Sequence, residues 1–268
     1  MTPNEIKSIC QQYGLMPSKA KGQNFLIEED VVAKIIEGAK LQPDDIVLEV
    51  GPGLGILTQQ LLKSAKKIIA VELDQKAISY LRVKFAAEIK NGHLELVESD
   101  ILKINLDELG LKSFNYKIVA NLPYNITSFF LRRFLENEPK PSEMVLMLQK
   151  EVAERILSKI GQMNILAFSA QFFSETKILF KVPRGCFWPE PKIDSAVICL
   201  KLNKILPKVD QKSLFKLVKI GFSAKRKQLH NNLANGFQLK NEKIREIFVG
   251  FGWREDVRAQ DLSVIDWI

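Results

Sequence analysis

Histidine and cysteine are scarce in this chain of 268 residues, which holds two of the first and three of the second. His93 and His230 have no partner at ligand spacing, so no metal centre is expected and each is read as a surface or loop residue. Cys10, Cys186 and Cys199 are odd in number and far apart, which argues against a disulfide framework and for a reducing compartment, the cytoplasm. No uninterrupted apolar stretch approaches the ~20 residues that a bilayer requires. Residues 1–12 are polar and carry Glu5 and Lys7 in place of a basic region and an apolar core, so no secretory leader is expected. Internal repeats and low-complexity tracts are missing too, which excludes solenoid arrays and disordered linkers.

What is present is an ordinary globular composition, 46% hydrophobic and 26% charged, in a chain long enough for one large core and a small appendage. The net charge is +8 and it is unevenly spread: residues 201–245 hold twelve Lys or Arg against only Asp210 and Glu242. The rest of the chain is therefore slightly acidic. A basic segment of this kind is the footprint of a polyphosphate partner, with a merely solvated basic face as the alternative. Lys225-Arg226-Lys227 is its leading cluster.

Short apolar runs at 46–50, 68–71, 94–97, 117–120 and 144–148 alternate with amphipathic stretches of helical spacing. Continuous apolar strands suit a parallel sheet covered on both faces, so the pattern predicts an open, doubly wound α/β sheet with its ligand crevice at the strands' carboxyl ends. Runs at 177–182 and 196–202 are separated by a loop rich in Pro and aromatics and finish the sheet as an antiparallel pair. Beyond Pro207 only helical spacing remains, in Leu214, Leu217, Val218 and Phe222 and again in Ile244, Ile247 and Phe248. The expected division is 1–206 for the sheet domain, with 1–25 as an arm over its ligand, and 207–268 for a basic helical domain.

Glu49-Val50-Gly51-Pro52-Gly53-Leu54-Gly55 ends the first strand and opens a helix, and its glycines allow a tight turn with close approach of backbone to a ligand. The motif lacks the third glycine by which dinucleotide folds pack helix on strand, and an acidic Glu49 beside the turn suits a cation better than a pyrophosphate. S-adenosylmethionine carries such charges. Glu72 ends the next strand at the distance from the glycine turn where an acid reaches ribose hydroxyls, and Asp100 follows the third strand in position to accept an adenine amino group. Leu73 and Ile101, the next residues along, join this set.

Asn121-Leu122-Pro123-Tyr124 follows the fourth strand and offers what an amino group on a flat ring needs. The Asn121 amide oxygen and the Leu122 carbonyl can each accept one N–H, and Tyr124 offers a face for stacking. Pro123 fixes its own φ and restricts Leu122. The competing reading is an Asx-type turn with a buried tyrosine.

Taken together, these motifs make the chain resemble the ribosomal RNA adenine dimethyltransferases, most nearly those of the small subunit. The resemblance runs through Gly22-Gln23-Asn24-Phe25-Leu26, the glycine turn, Glu72-Leu73-Asp74, Asp100, Asn121 to Asn125, Leu148-Gln149-Lys150-Glu151-Val152-Ala153 and the segment 187–197. It implies a Rossmann-like class I methyltransferase sheet with a small C-terminal all-helical domain, S-adenosylmethionine as cofactor and small-subunit rRNA as partner, in a monomeric enzyme that needs no metal. By that similarity Asn24 and Leu26 close over the cofactor, Gly51 and Gly53 touch it through backbone, Glu72 holds its ribose, Asp100 its adenine, and Asn121 faces both ligands. Phe187 matches the aromatic position opposite the motif tyrosine, so Tyr124 and Phe187 would sandwich the target base; the alternative is that Phe187, like Phe25 and Leu26, packs in the core. Two adjacent adenosines, each dimethylated on N6 near the 3′ end of the 16S rRNA, are the implied target. Large-subunit resistance-type methyltransferases share most of these motifs, and a non-catalytic RNA-binding factor on the same fold is the reading from another class. The chain departs from the family at Ile160-Gly161-Gln162-Met163-Asn164-Ile165-Leu166, where an aromatic-Gly-Arg-Leu-like segment is usual, and at Trp267-Ile268, which leaves the last helix short or missing.

Overall fold

The computed structural model describes residues 2–15 and 24–268. Helix α1 (Pro3–Tyr13) starts on a capping box in which the Thr2 hydroxyl accepts from the Glu5 N–H and the Glu5 carboxylate accepts from the Thr2 N–H. After β1 (Phe25–Leu26) and α2 (Glu29–Ala39) come β2 (Ile46–Val50), α3 (Ile56–Leu61), β3 (Lys67–Glu72), α4 (Gln75–Lys84), α5 (Ala86–Lys90), β4 (Leu94–Glu98), β5 (Tyr116–Asn121), α6 (Thr127–Glu136), β6 (Glu143–Gln149), α7 (Lys150–Ile156) and α8 (Ile165–Phe173). Strands β7 (Ser174–Val182), β8 (Phe187–Trp188) and β9 (Ser195–Leu202) follow, and then helices α9 (Gln211–Gly221), α10 (Leu229–Phe237), α11 (Asn241–Gly250) and α12 (Val264–Trp267).

Seven strands form one sheet in the order β4-β3-β2-β5-β6-β9-β7. The first five pair in parallel, and β9 runs antiparallel to both β6 and β7. Every apolar run singled out in the sequence is one of these strands. Successive residues in a strand point to opposite faces, yet the pairs Val47 and Leu48, Ile118 and Val119, and Val145 and Leu146 are all buried to 1% exposure or less. Helices therefore cover both faces, which is why these strands read as unbroken apolar runs instead of alternating ones.

The loop expected at 183–191 contains β8, which pairs antiparallel with β1 through Phe25↔Trp188 and Leu26↔Phe187. A strand of two residues has no periodicity to detect.

The chain divides into two compact units, residues 1–153 with 174–204 and residues 154–173 with 205–268. Segment 154–173, expected in the first domain, groups instead with the C-terminal helices. The reason is aromatic packing: Phe215 of α9 meets Phe168 edge-on at 5.4 Å and stacks on Phe173 at 5.6 Å, both from α8. The unusual 160–166 segment is tied into the same unit, since the Gly161 and Met163 N–H groups both donate to the Gln260 carbonyl. Helix α12 is a single turn. His230 corrects the sequence reading, because it lies inside α10 and is 1% exposed instead of lying in a loop or on the surface.

Candidate active site

Strand β2 has β3 on one side and β5 on the other, so the chain winds outward from it in both directions. The loops leaving such neighbours diverge and open a crevice at the strands' carboxyl ends. A cleft lies there, lined by Glu49 and the glycine turn after β2, by Glu72 at the end of β3, and by Asn121 to Tyr124 after β5. Leu15, Asn24, Phe25 and Leu26 complete one wall. Gly22 and Gln23 of the arm motif lie outside the described residues.

The turn is built by its own backbone. The Gly51 N–H donates to the Val71 carbonyl at 2.9 Å and the Gly55 N–H to the Pro52 carbonyl at 2.8 Å. Gly51, Gly53 and Gly55 all have positive φ, from 56° to 71°. At Gly53 a Cβ would come within 3.2 Å of the Phe25 ring, and at Gly55 within 2.5 Å of Phe85. Gly55 thus performs the close packing that the sequence reading found no glycine for, although its partner is the residue ending α4 and not the strand behind it.

Three backbone N–H groups hold the Glu72 carboxylate. Gly53 donates to one oxygen at 3.2 Å, and Leu73 and Asp74 to the other at 2.8 and 2.9 Å. Burial nevertheless raises its pKa, and these bonds offset part of the shift.

Glu49 differs. It is 1% exposed, and neither carboxylate oxygen has a hydrogen-bond partner. Burial pushes its pKa up to about 8; neighbouring Thr58, whose hydroxyl makes no well-formed bond, and Lys84 pull it down, while the Glu72 charge adds to the rise. Lys84 donates its ammonium to the Leu54 carbonyl at 2.9 Å and lies over the Phe85 ring at 5.1 Å. Nothing in the sequence pattern pointed to Lys84 or Thr58, because contacts formed by folding leave no local signal.

Asn121 ends β5, and its amide nitrogen donates to the Asn24 carbonyl across a long 3.5 Å. That orientation turns the amide oxygen away from the arm. The Leu122 N–H donates to the Met147 carbonyl, which carries the pairing with β6 one residue past the strand end. Tyr124 is half-buried, and its hydroxyl lies 2.9 Å from the Ser195 hydroxyl at the start of β9. The ring is thus fixed at its far end while it lines the cleft.

Four expected site residues do not line the cleft. Leu73 is 70% exposed and Ile101 is buried to 5%. Asp100 caps its own turn by accepting from the Leu102 N–H at 2.9 Å. Phe187, 3% exposed, packs in the hydrophobic core with Leu26 and Val197. Conversely, Ile56, Leu57 and Ala77 line the cleft although no motif in the sequence marks them. Among the described residues no group of three His, Cys, Asp or Glu is placed to hold a metal ion, and no helix is long and apolar enough to cross a membrane.

The sequence pattern of the ribosomal RNA adenine dimethylase family matches residues 18–265. The chain belongs to this family. A ribosomal RNA small subunit methyltransferase A from Dehalococcoides mccartyi is 42% identical over 265 residues, covering 98% of this chain and 90% of the relative. Its namesake from Alkaliphilus metalliredigens is 37% identical over 275 residues, covering 100% and 95%. Among solved structures, a dimethyladenosine transferase from Plasmodium falciparum superposes with a TM-score of 0.77 at 27% identity over 91% of this chain and 94% of its own. The 23S rRNA methyltransferase ErmE gives 0.72 at 24% over 91% and 96%, a likeness that concerns the fold. The sheet of this dimethylase-family chain is accordingly that of the class I methyltransferases.

Proposed function

We propose that the protein transfers methyl groups from S-adenosylmethionine to N6 of adenines in small-subunit rRNA, two per base on two adjacent adenosines. The observation that carries this reading is the placement of Asn121 and Tyr124 in one cleft with the unpartnered, buried carboxylate of Glu49. A buried acid without a hydrogen bond is costly, and a cation seated in the cleft would relieve it. Gly53, where a Cβ would crowd the Phe25 ring at 3.2 Å, leaves the backbone bare for a close-lying ligand. The residues present therefore fit S-adenosylmethionine: Glu49 faces its cationic end, Glu72 its ribose, and Asn24 and Leu26 cover it. The cofactor supplies an electrophilic methyl group on a leaving group that departs neutral.

The chain's own residues do the positioning. Tyr124 stacks on the base, held by Ser195, and Leu122 and Asn121 offer two acceptors to the amino hydrogens. The N6 lone pair of adenine is delocalised into the ring, and two acceptors favour a pyramidal nitrogen and stabilise the positive charge that develops on it. No side chain need act as a base, since the proton can leave to water after transfer. A base stacked in a helix cannot enter such a cleft, so the target must be flipped out or lie in a loop. Lys225, Arg226 and Lys227, all exposed, would bind phosphates of the RNA. With Phe187 in the core, Tyr124 is the single ring proposed to stack.

The deciding experiment supplies unmodified small and large ribosomal subunits separately with methyl-labelled cofactor and digests the RNA to nucleosides. Dimethyladenosine from the small subunit alone is the expected product. Label in the large subunit would assign the resistance-type reaction. No label in the small or the large subunit, together with no cofactor binding at millimolar concentration, would leave an RNA-binding factor without activity.

A further inference from the structure

Asn232 sits in the middle of α10 and is 3% exposed, a polar residue in a position where its helix propensity is poor. Its amide nitrogen donates to the Gly221 carbonyl at 2.6 Å and to the Ala224 carbonyl at 3.1 Å. Gly221 is the last residue of α9 and Ala224 stands directly before Lys225. The Gly221 carbonyl stands at a helix end, where carbonyls lack intrahelical donors, and one side chain from the next helix supplies a donor there and a second bond to the Ala224 carbonyl in the turn. The far end of the turn is fixed as well: the His230 ring nitrogens lie 2.9 Å from the Gln228 amide oxygen and 3.1 Å from that of Asn241. At Gly221 itself there is no slack, because a Cβ there would come within 2.3 Å of the Trp267 ring.

Three adjacent like charges repel one another and favour an extended, wandering segment. The turn 222–228 instead closes, with the Lys227 N–H donating to the Ala224 carbonyl at 3.0 Å. We infer that Asn232 is a positioning residue for RNA: it holds the turn so that Lys225, Arg226 and Lys227 form a fixed set of phosphate contacts. The inference rests on the RNA reading of that cluster.

The test is a cycle on the full-length protein, with Asn232→Ala made alone and in a Lys225→Ala, Arg226→Ala, Lys227→Ala background, reading KM for small-subunit RNA and kcat. Alone, it should raise KM about tenfold and leave kcat within about twofold, as expected when a contact is lost that acts equally before and during the reaction. In the triple-alanine background it should change nothing further. An unchanged KM alone, or an equal rise in both backgrounds, would overturn the positioning role and leave the cluster's own role standing. A triple-alanine variant with unaltered KM would remove both. Should Asn232→Ala unfold, hydrogen exchange on the wild-type protein decides: the Lys227 amide must exchange as slowly as those at the end of α9, and exchange at the free-chain rate would refute the inference.

Discussion

Glu49 is the residue whose chemistry is most exposed to test. Its pKa stands near 8 against an ordinary 4.5, so the folded chain keeps a proton there that the unfolded chain has lost. Between those values the folded state binds more protons, and stability contributed by this site is full below 4.5 and lost as pH rises through 8. A cation bound beside the carboxylate favours its charged form, so cofactor binding should release a proton in the same window and affinity should climb with pH up to about 8. Calorimetry in buffers of different ionisation enthalpy measures that proton, and Glu49→Gln should abolish its release. At Asn121 the expectation concerns rate. Asn121→Ala should weaken cofactor binding and lower kcat/KM for RNA by about 10²–10³, the usual effect of removing one preorganised group at the reacting centre. Wild-type turnover in that variant would show that the amide does not accept the amine. Tyr124→Phe keeps the stacking face and loses only the bond to Ser195, so it should cost about 0.5–1.5 kcal/mol of stability by urea denaturation and retain RNA binding.

At the scale of elements, the glycine turn separates two jobs that look alike in sequence. A Cβ at Gly55 would strike Phe85 at 2.5 Å and Leu81 at 2.9 Å, whereas one at Gly53 comes no closer than 3.2 Å, to the Phe25 ring on the cleft side. Gly55→Ala should therefore destabilise the fold by about 1–3 kcal/mol through overpacking. Gly53→Ala should leave the denaturation midpoint closer to wild type and weaken cofactor binding more. A thermal melt and a binding isotherm on both variants distinguish them, and the reverse order would mean that the turn is oriented otherwise. The same contrast explains what was legible in advance. The seven long strands, the glycine turn and the acidic residues Glu49 near the end of β2 and Glu72 at the end of β3 declare themselves by apolar runs and by local motif. The pairing of β1 with β8, the place of α8 beside α9, and the roles of Lys84, Thr58 and Ser195 depend on residues that meet only after folding. Asp100 and Phe187 stand at positions that the family resemblance marks, and folding adds contacts that the motifs do not show: Asp100 also bonds to its own turn, and Phe187 packs in the core cluster.

At the scale of the whole molecule, the two units differ in charge. The sheet unit contains the cleft, with two buried acids, Glu49 and Glu72, at its floor. A floor of two carboxyl groups offers no positive charge, so it cannot itself supply much affinity for a polyanion. The excess of positive charge sits from residue 201 onward, mostly in the other unit. Affinity for RNA and affinity for cofactor should consequently respond to salt in different ways. Each phosphate neutralised by a cation releases counterions, which gives a logarithmic dependence on salt of about 0.7–0.9 per contact. Raising salt from about 50 to 200 mM should therefore weaken RNA binding steeply while changing cofactor binding little. Replacing Lys225, Arg226 and Lys227 by alanine should flatten the RNA slope by about two units and leave the cofactor isotherm where it was. Filter binding of RNA across a salt series, run beside cofactor titrations of the same variant, measures both. A slope unchanged by the triple substitution would mean that the phosphates lie along another basic surface, for which the lysines at 212, 216 and 219 on the exposed side of α9 are the next to substitute.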